Sequence, residues 1–423
     1  MLLASIFMAS SGLSYETPLV VKITEFYRIT DSDFGFLLAC TTFVIAIASA
    51  PWGYWADKYR RIRLLLIAQG IIAVSMLLLG LCLELNLPYA VFFAVKLLSG
   101  VGFACAGPVA TSAVIDTVSI KKRGEAFGWV GVGWVIGGAG GILFPSVCML
   151  AKLSLGITFL LGAFGGLAFT VALFFVEEPR RGAQDEALKD SVGAGKAEYT
   201  YHIRFSDLKS LLSKPINILL VAAMTLFQFP AQVLAVWFIT FLMRNHGLNE
   251  FMATLMMFLA FFGQPLGNAF GGAWTDRAYR WRRSGRLLVM ILMAALTPVF
   301  LIAAMLLPFK WIYFAPLMIL ANFFLVASGP GITIVSLEVN LPEHRGTISA
   351  LMNICSSVSR ALAWWIPPII AVTFGGRYDR AFVLTAVAYV PLIAAYILMV
   401  FRVEKDLDSV NQILAKRAKE LGS

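Results

Sequence analysis

Glu16, Lys96 and Arg360 each stand inside a long apolar run of this sequence. An ionisable group at mid-membrane costs roughly 2.5–3.5 kcal/mol on insertion scales, so it is read as functional until a structural role is found. Arg360 lies near the middle of its run, with no helix end close enough for snorkelling. It is expected to hold an anionic group of a solute, or else to close an ion pair among the C-terminal helices. Glu16 is the one carboxylate deep in the first run. Enclosed there it would take up and release a proton; at the outer end of the run it would simply be solvated. Lys96 either partners a carboxylate or a solute, or reaches outward to the interface. Asp116 and Glu338 fall at the ends of runs and suit gating better than coupling.

Uncharged polar residues extend this set. Gln228 and Gln232 are spaced i,i+4, so on a helix they share a face, and Gln264 with Asn268 repeats the spacing. Asn322 and Asn353 lie in later apolar runs. Pro230 and Pro265 interrupt helices beside the amides, a feature that accompanies binding sites in transporters. Together with Tyr15, these amides form a candidate solute lining, against the alternative that each only bonds a neighbouring helix. Trp237, Trp364 and Trp365 would supply aromatic walls or interface anchors.

The elements that must position these residues are membrane helices. Hydrophobic residues make up 59% of the chain and charged residues 14%, against about 25% charged in a soluble domain. The mean hydropathy is +0.81. About 20 apolar residues cross a bilayer core. Helices are therefore predicted at 1–24, 34–55, 64–83, 88–115, 125–150, 154–176, 216–243, 249–274, 286–307, 311–337, 347–374 and 380–401. The organisation expected is an N-terminal bundle over 1–176, a cytoplasmic linker with a short amphipathic helix over 177–215, a C-terminal bundle over 216–401 and a cytoplasmic tail over 402–423. Of the 34 Lys and Arg residues, 25 fall in the even-numbered connections and the tail. Positive charge favours the cytoplasm, so both termini are expected there, in a multi-pass protein of a bacterial or archaeal inner (plasma) membrane. The same placement explains the net charge of +10 without nucleic acid. The five cysteines all lie in apolar runs without CxxC spacing, and the three histidines are scattered, so no metal site, cofactor or catalytic group is expected. No phosphate-cradling Gly-x-x-x-x-Gly-Lys-[Ser/Thr] loop appears, which argues against direct ATP hydrolysis.

A short signature recurs half a chain apart. Gly53-Tyr-Trp-Ala-Asp57-Lys-Tyr-Arg60-Arg61 closes one apolar run, and Gly272-Ala-Trp-Thr-Asp276-Arg277 closes another, at an offset of 219 residues. Arg123-Gly124 and Arg345-Gly346, 222 apart, give a second echo. Such echoes indicate an internal duplication. Glycine allows close helix approach, aspartate caps a helix N-terminus, and the arginines pair with carboxylates or lipid phosphates. Contacts of this kind hold two bodies together on one face until they are broken.

This loop resembles the G-x-x-x-D-[RK]-x-G-[RK]-[RK] signature of the major facilitator superfamily, and the weaker copy falls where that family has one. Lys96-Leu-Leu-Ser-Gly100-Val-Gly102 resembles the family's fourth-helix R-x-x-x-G-x-G motif, with Lys for Arg. The resemblance implies an all-α membrane protein of twelve helices in two pseudo-symmetric six-helix bundles around a central cavity, working by alternating access. It implies a cytoplasmic gate of Asp57, Arg61 and Asp116, with Gly53, Arg60, Arg123, Asp276, Arg277, Glu338 and Arg345 in supporting positions. The glycines from Gly131 to Gly141 look somewhat like the family's antiporter motif, with ordinary close packing as the alternative. Phe26–Phe36, leading to Ala50-Pro51-Trp-Gly53-Tyr54, and Leu341–Thr347, leading to Pro367, look like spinster-type lipid transporters. The function expected is secondary active transport of a small or amphiphilic anion, coupled to protons. Multidrug or lysolipid export and a transport-dead receptor or scaffold are the alternatives, and an enzyme is not expected. Expected partners are a small-molecule or lipid-like substrate, protons and membrane lipids, on a monomer.

Overall fold

The computed structural model describes residues 2–105, 123–175, 211 and 214–422. The described residues are helical apart from short connections. In chain order the helices are α1 (Leu2–Ser14), α2 (Val20–Tyr27), α3 (Asp31–Lys58), α4 (Arg61–Glu84), α5 (Tyr89–Phe103), α6 (Arg123–Leu150), α7 (Leu155–Phe174), α8 (Pro215–His246) and α9 (Glu250–Phe261). There follow α10 (Gly263–Trp281), α11 (Gly285–Leu306), α12 (Trp311–Ala327), α13 (Gly329–Glu338), α14 (Pro342–Thr373), α15 (Tyr378–Ala386) and α16 (Tyr389–Gly422). Ten spans among the described residues are long and apolar enough to cross a bilayer, and α5 is a shorter apolar helix.

Four of the predicted spans are divided, each beside a proline, including the one expected to be interrupted at Pro265; Pro230, expected to interrupt its helix, lies inside the continuous α8. The first run breaks after Ser14, and a 3-10 turn (Thr17–Leu19) carrying Pro18 leads into α2. Pro265, Pro330 and Pro391 sit just inside α10, α13 and α16. A proline lacks an N–H and crowds the carbonyl four residues earlier, which ends the regular ladder there. The segment over 402–423, expected as a tail, continues the last helix: α16 runs unbroken from Tyr389 to Gly422, with Val403, Leu407 and Val410 buried. Most of the 177–215 linker lies outside the described residues. Leu211 is buried, and its carbonyl accepts a hydrogen bond from Asn217 at 3.0 Å.

The chain divides into two compact units. One comprises Met1–Lys196 with Leu242–Leu255, the other Ala197–Phe241 with Met256–Ser423. In the first unit, Gly137 and Gly141 place α6 directly on the α1 backbone at Phe7 and Ser11, with no space for a Cβ. Gly137 and Gly141 of the glycine-dense run therefore serve close packing. Trp52, Leu64, Leu65, Ala68, Ala104 and Cys105 form a buried cluster, and Trp52 Nε1 donates to the Val101 carbonyl at 2.8 Å. In the second unit, Gly263, Gly267 and Gly271 recur every four residues on α10 and abut the carbonyls of Ile319, Phe323 and Ala327 on α12. Such small-residue stripes let membrane helices approach to backbone contact. The core there is aromatic: Phe238 stacks on Phe314 at 6.1 Å and Phe241 meets Phe382 edge-on at 5.2 Å.

Candidate functional site

The break in the first span puts Glu16 on the 3-10 turn, facing Lys96 from the middle of α5. Lys96 Nζ lies 2.8 Å from Glu16 Oε1, and the two side chains are 3% and 5% exposed. The Phe103 ring, with its centroid 5.7 Å from Nζ, covers the cation from another side. Oε2 of Glu16 is buried with no hydrogen-bond partner among the described residues. Of the readings open for these two residues, the structure brings about the mutual pair; neither is solvated at a helix end.

In the second unit, four of the expected amides converge. Gln228 and Gln232 of α8 and Gln264 and Asn268 of α10 line one pocket of about 400 Å³, with Thr333 of α13 and the rings of Phe227 and Phe261. Asn322 is fully buried outside that lining. It accepts from Gln264 Nε2 at 2.9 Å and donates to the Met318 carbonyl at 2.9 Å, so its role is to hold Gln264. Asn353 is exposed on α14 and apart from the pocket, its carbonyl bonded by Ser357. Tyr15 belongs to the other unit, where its hydroxyl donates to the Thr158 carbonyl. Trp237 is fully buried against Tyr378, a packing residue more than a wall.

Arg360 is half-buried on α14. Its Nη2 donates to Ser357 Oγ at 2.6 Å, and among the described residues no carboxylate lies within ion-pair distance. The neighbouring Ser359 hydroxyl donates to the Thr225 carbonyl at 2.6 Å and ties α14 to α8. The ion pair weighed for Arg360 within the C-terminal helices is thus absent among the described residues.

At the ends of α10, α11 and α13, a guanidinium joins two of the expected gate carboxylates. Arg286 pairs with Asp276 at 3.3 Å and with Glu338, while the Tyr279 ring stacks 3.9 Å from its centre. Arg277, named with Asp276 among the gate residues, is exposed. Arg286 was missed because it opens the following helix, outside the signature. Gly272 has open space around it; the close approach belongs to its neighbour Gly271. Gly53 is half-buried in α3 and Arg60 is exposed at the start of α4. The side chains of Asp57, Arg61, Arg123 and Arg345, and all of Asp116, lie outside the described residues.

A further cluster had no sequence signature. Arg244, in the Leu242–Leu255 part of the first unit, holds Asp31 through two hydrogen bonds of 2.8 and 3.2 Å. It also donates to Thr24 at 3.0 Å and approaches Glu25 at 3.5 Å. Lys22 and Glu250 pair at 3.1 Å beside it. The partners are more than two hundred residues apart, which hides them from any local reading.

The family model of the major facilitator superfamily matches residues 2–364. The chain belongs to that superfamily. It is a family of transporters, not of enzymes. Multidrug resistance protein 2 of Bacillus subtilis (strain 168) is 29% identical over 147 residues, 34% of this chain and 36% of that protein. Protein spinster homolog 1 of Xenopus tropicalis is 29% identical over 229 residues, 53% of this chain and 41% of that protein. The matched stretches thus span less than half of each of these curated relatives. In fold, a bacterial homolog of the human lysosomal transporter spinster, crystallised inward-facing and unoccupied, superposes with a TM-score of 0.79 at 20% identity over 96% of both chains. The nucleoside transporter NupG gives 0.69 at 14% identity over 94% of this chain and 98% of that one. The protein has the major facilitator fold, helical throughout its described residues and integral to a membrane. Beyond the ten long spans, α5 and the divided α1–α2 account for the other two of the twelve expected.

Proposed function

We propose that the protein is a secondary active transporter that moves a small or amphiphilic anionic solute by alternating access, coupled to protons. One contrast carries this reading. Of the two cations deep in the helices, Lys96 is neutralised by Glu16, whereas Arg360 meets no carboxylate among the described residues. A half-buried guanidinium without a counter-charge favours an anionic ligand, because the ligand supplies the missing neutralisation in a medium of low dielectric. The amide pocket on α8 and α10, whose lining does not include Arg360, offers uncharged donors and acceptors for polar parts of a solute. Protonation of Glu16 leaves Lys96 bare beside the break in the first span, so proton uptake biases one arrangement of that break over another. The Asp276–Arg286–Glu338 triad, and by family resemblance Asp57, Arg61 and Asp116, act as gate contacts. The basic connections face the cytoplasm of a bacterial or archaeal cell, and the carrier works as a monomer.

Uptake into proteoliposomes, with and without an imposed pH gradient, tests this. Arg360→Gln is expected to lower flux of an anionic solute at least tenfold without lowering the unfolding temperature. Glu16→Gln is expected to remove the response to the gradient. Equal fluxes of anionic and neutral analogues in wild type and Arg360→Gln would reject the reading.

The relatives named as multidrug resistance and spinster proteins favour a second reading, export of lipophilic drugs or lysolipids. Under it, efflux of a neutral dye persists in Arg360→Gln. A transport-dead receptor would show solute-induced stabilisation and no flux.

A further inference from the structure

The first unit encloses a second pocket, which the transport reading does not use. Its volume is about 340 Å³, within the roughly 300–1,000 Å³ of small-molecule sites. It lies among α1, α4, α6 and α7, between Phe7, Met8, Ile72, Met76 and Leu161. No charged residue lines it. The longer polar groups of its wall are already engaged: Gln69 Nε2 donates to the Ser5 carbonyl at 2.9 Å, and the Tyr15 hydroxyl donates to the Thr158 carbonyl.

Glycines make the space. A Cβ on Gly165 would meet nothing within 4 Å, and one on Gly140 would only touch the Phe7 ring at 3.4 Å. On α1 the lining runs from Phe7 to Gly12, roughly 8 Å at 1.5 Å per residue, and Tyr15 just past the helix end extends it. The space is therefore a slot along the helix. Phe144 and Leu161 at its edge are 45% and 42% exposed on long apolar spans, with Val147 and Phe164 exposed beside them. An apolar space of this size left unfilled forfeits van der Waals contacts along its walls.

We infer that this slot binds one hydrocarbon chain of a bilayer phospholipid. The wall has no counter-charge for an ion and is mostly apolar, with the Gln69 amide nitrogen held by the Ser5 carbonyl, so the headgroup stays outside and the chain enters. The narrow run along α1 suits an extended chain. The inference stands apart from the proposed transport activity.

The test is photolabelling of the full chain in nanodiscs of phosphatidylcholine with a diazirine near the end of one acyl chain. Peptide mapping is expected to find label within residues 7–15, 69–76 and 161–166. Gly165→Leu, which fills the slot, is expected to reduce that interior label at least tenfold and to leave label on the exposed helix faces unchanged. Gly165→Ala, which barely narrows the slot, is expected to keep it. Gly140→Val fills the slot from α6 and serves if Gly165→Leu does not assemble. Label confined to exposed faces, or interior label that survives both filling substitutions, would overturn the inference.

Discussion

Glu16 and Lys96 answer to each other before they answer to any solute. Removing one partner of a buried pair strands the other, at a cost of about 3–5 kcal/mol. Glu16→Gln alone should therefore lower stability by roughly that amount, and the double change Glu16→Gln with Lys96→Met should recover most of it. Chemical unfolding in detergent measures both, and additive losses would show that the pair is not coupled. Arg286 invites a sharper comparison. Only a planar guanidinium reaches both Asp276 and Glu338 while stacking on Tyr279. Arg286→Lys should cost about 1.5–3 kcal/mol, whereas Arg277→Lys on the exposed face should stay within about 0.5 kcal/mol. The chemistry of these residues was legible in the sequence: a carboxylate and a lysine in apolar runs, and aspartate and glutamate at helix ends. Their partners were less so. Arg286 follows the repeated signature, and the Arg244–Asp31 contact spans more than two hundred residues, a separation that spacing alone does not bridge.

Helices place these groups only as far as their backbones approach, and the approach is set by a few glycines. Gly271→Ala should push α10 off the Ala327 carbonyl and destabilise the protein. Gly272→Ala should be neutral or slightly stabilising, since its Cβ meets nothing within 4 Å and alanine is the better helix former. Thermal unfolding of the two variants decides; equal effects would refute the assigned packing. Periodicity and length were enough to find most helices to within a few residues. The interruption expected at Pro265 occurs, that expected at Pro230 does not, and the breaks at Ser14, Ser328 and Val387 were not foreseen, because a proline inside an apolar run either kinks or ends a helix depending on the neighbours. Pro51, Pro145, Pro230, Pro298 and Pro316 remain inside continuous helices. The i,i+4 amides were legible as shared faces. That Asn322 holds Gln264 while Asn353 stands apart depends on helix rotation, which spacing does not report.

At the scale of the bilayer, the asymmetry of Lys and Arg yields an orientation that can be checked directly. In a cysteine-free background, Arg283→Cys should react with a membrane-impermeant maleimide only from the cytoplasmic side, and Arg380→Cys only from the opposite side. The reverse pattern would invert the proposed topology. Composition was sufficient for a helical membrane protein, because lipid leaves few ways to satisfy the backbone; the major facilitator fold itself was legible only through the resemblance of the two signature copies to that family.

The unbroken α16 has a mechanical consequence. Its 34 residues make a rod of roughly 50 Å, well beyond the ~30 Å hydrocarbon layer. Tyr396 is fully buried at one end of that rod, while Arg282 and Arg283 brace its emergent half through Glu404 and Asp408. A stiff shaft anchored inside and guyed outside acts as a lever: tilting the protruding portion applies torque to the buried tyrosine, with no hinge between them to absorb it.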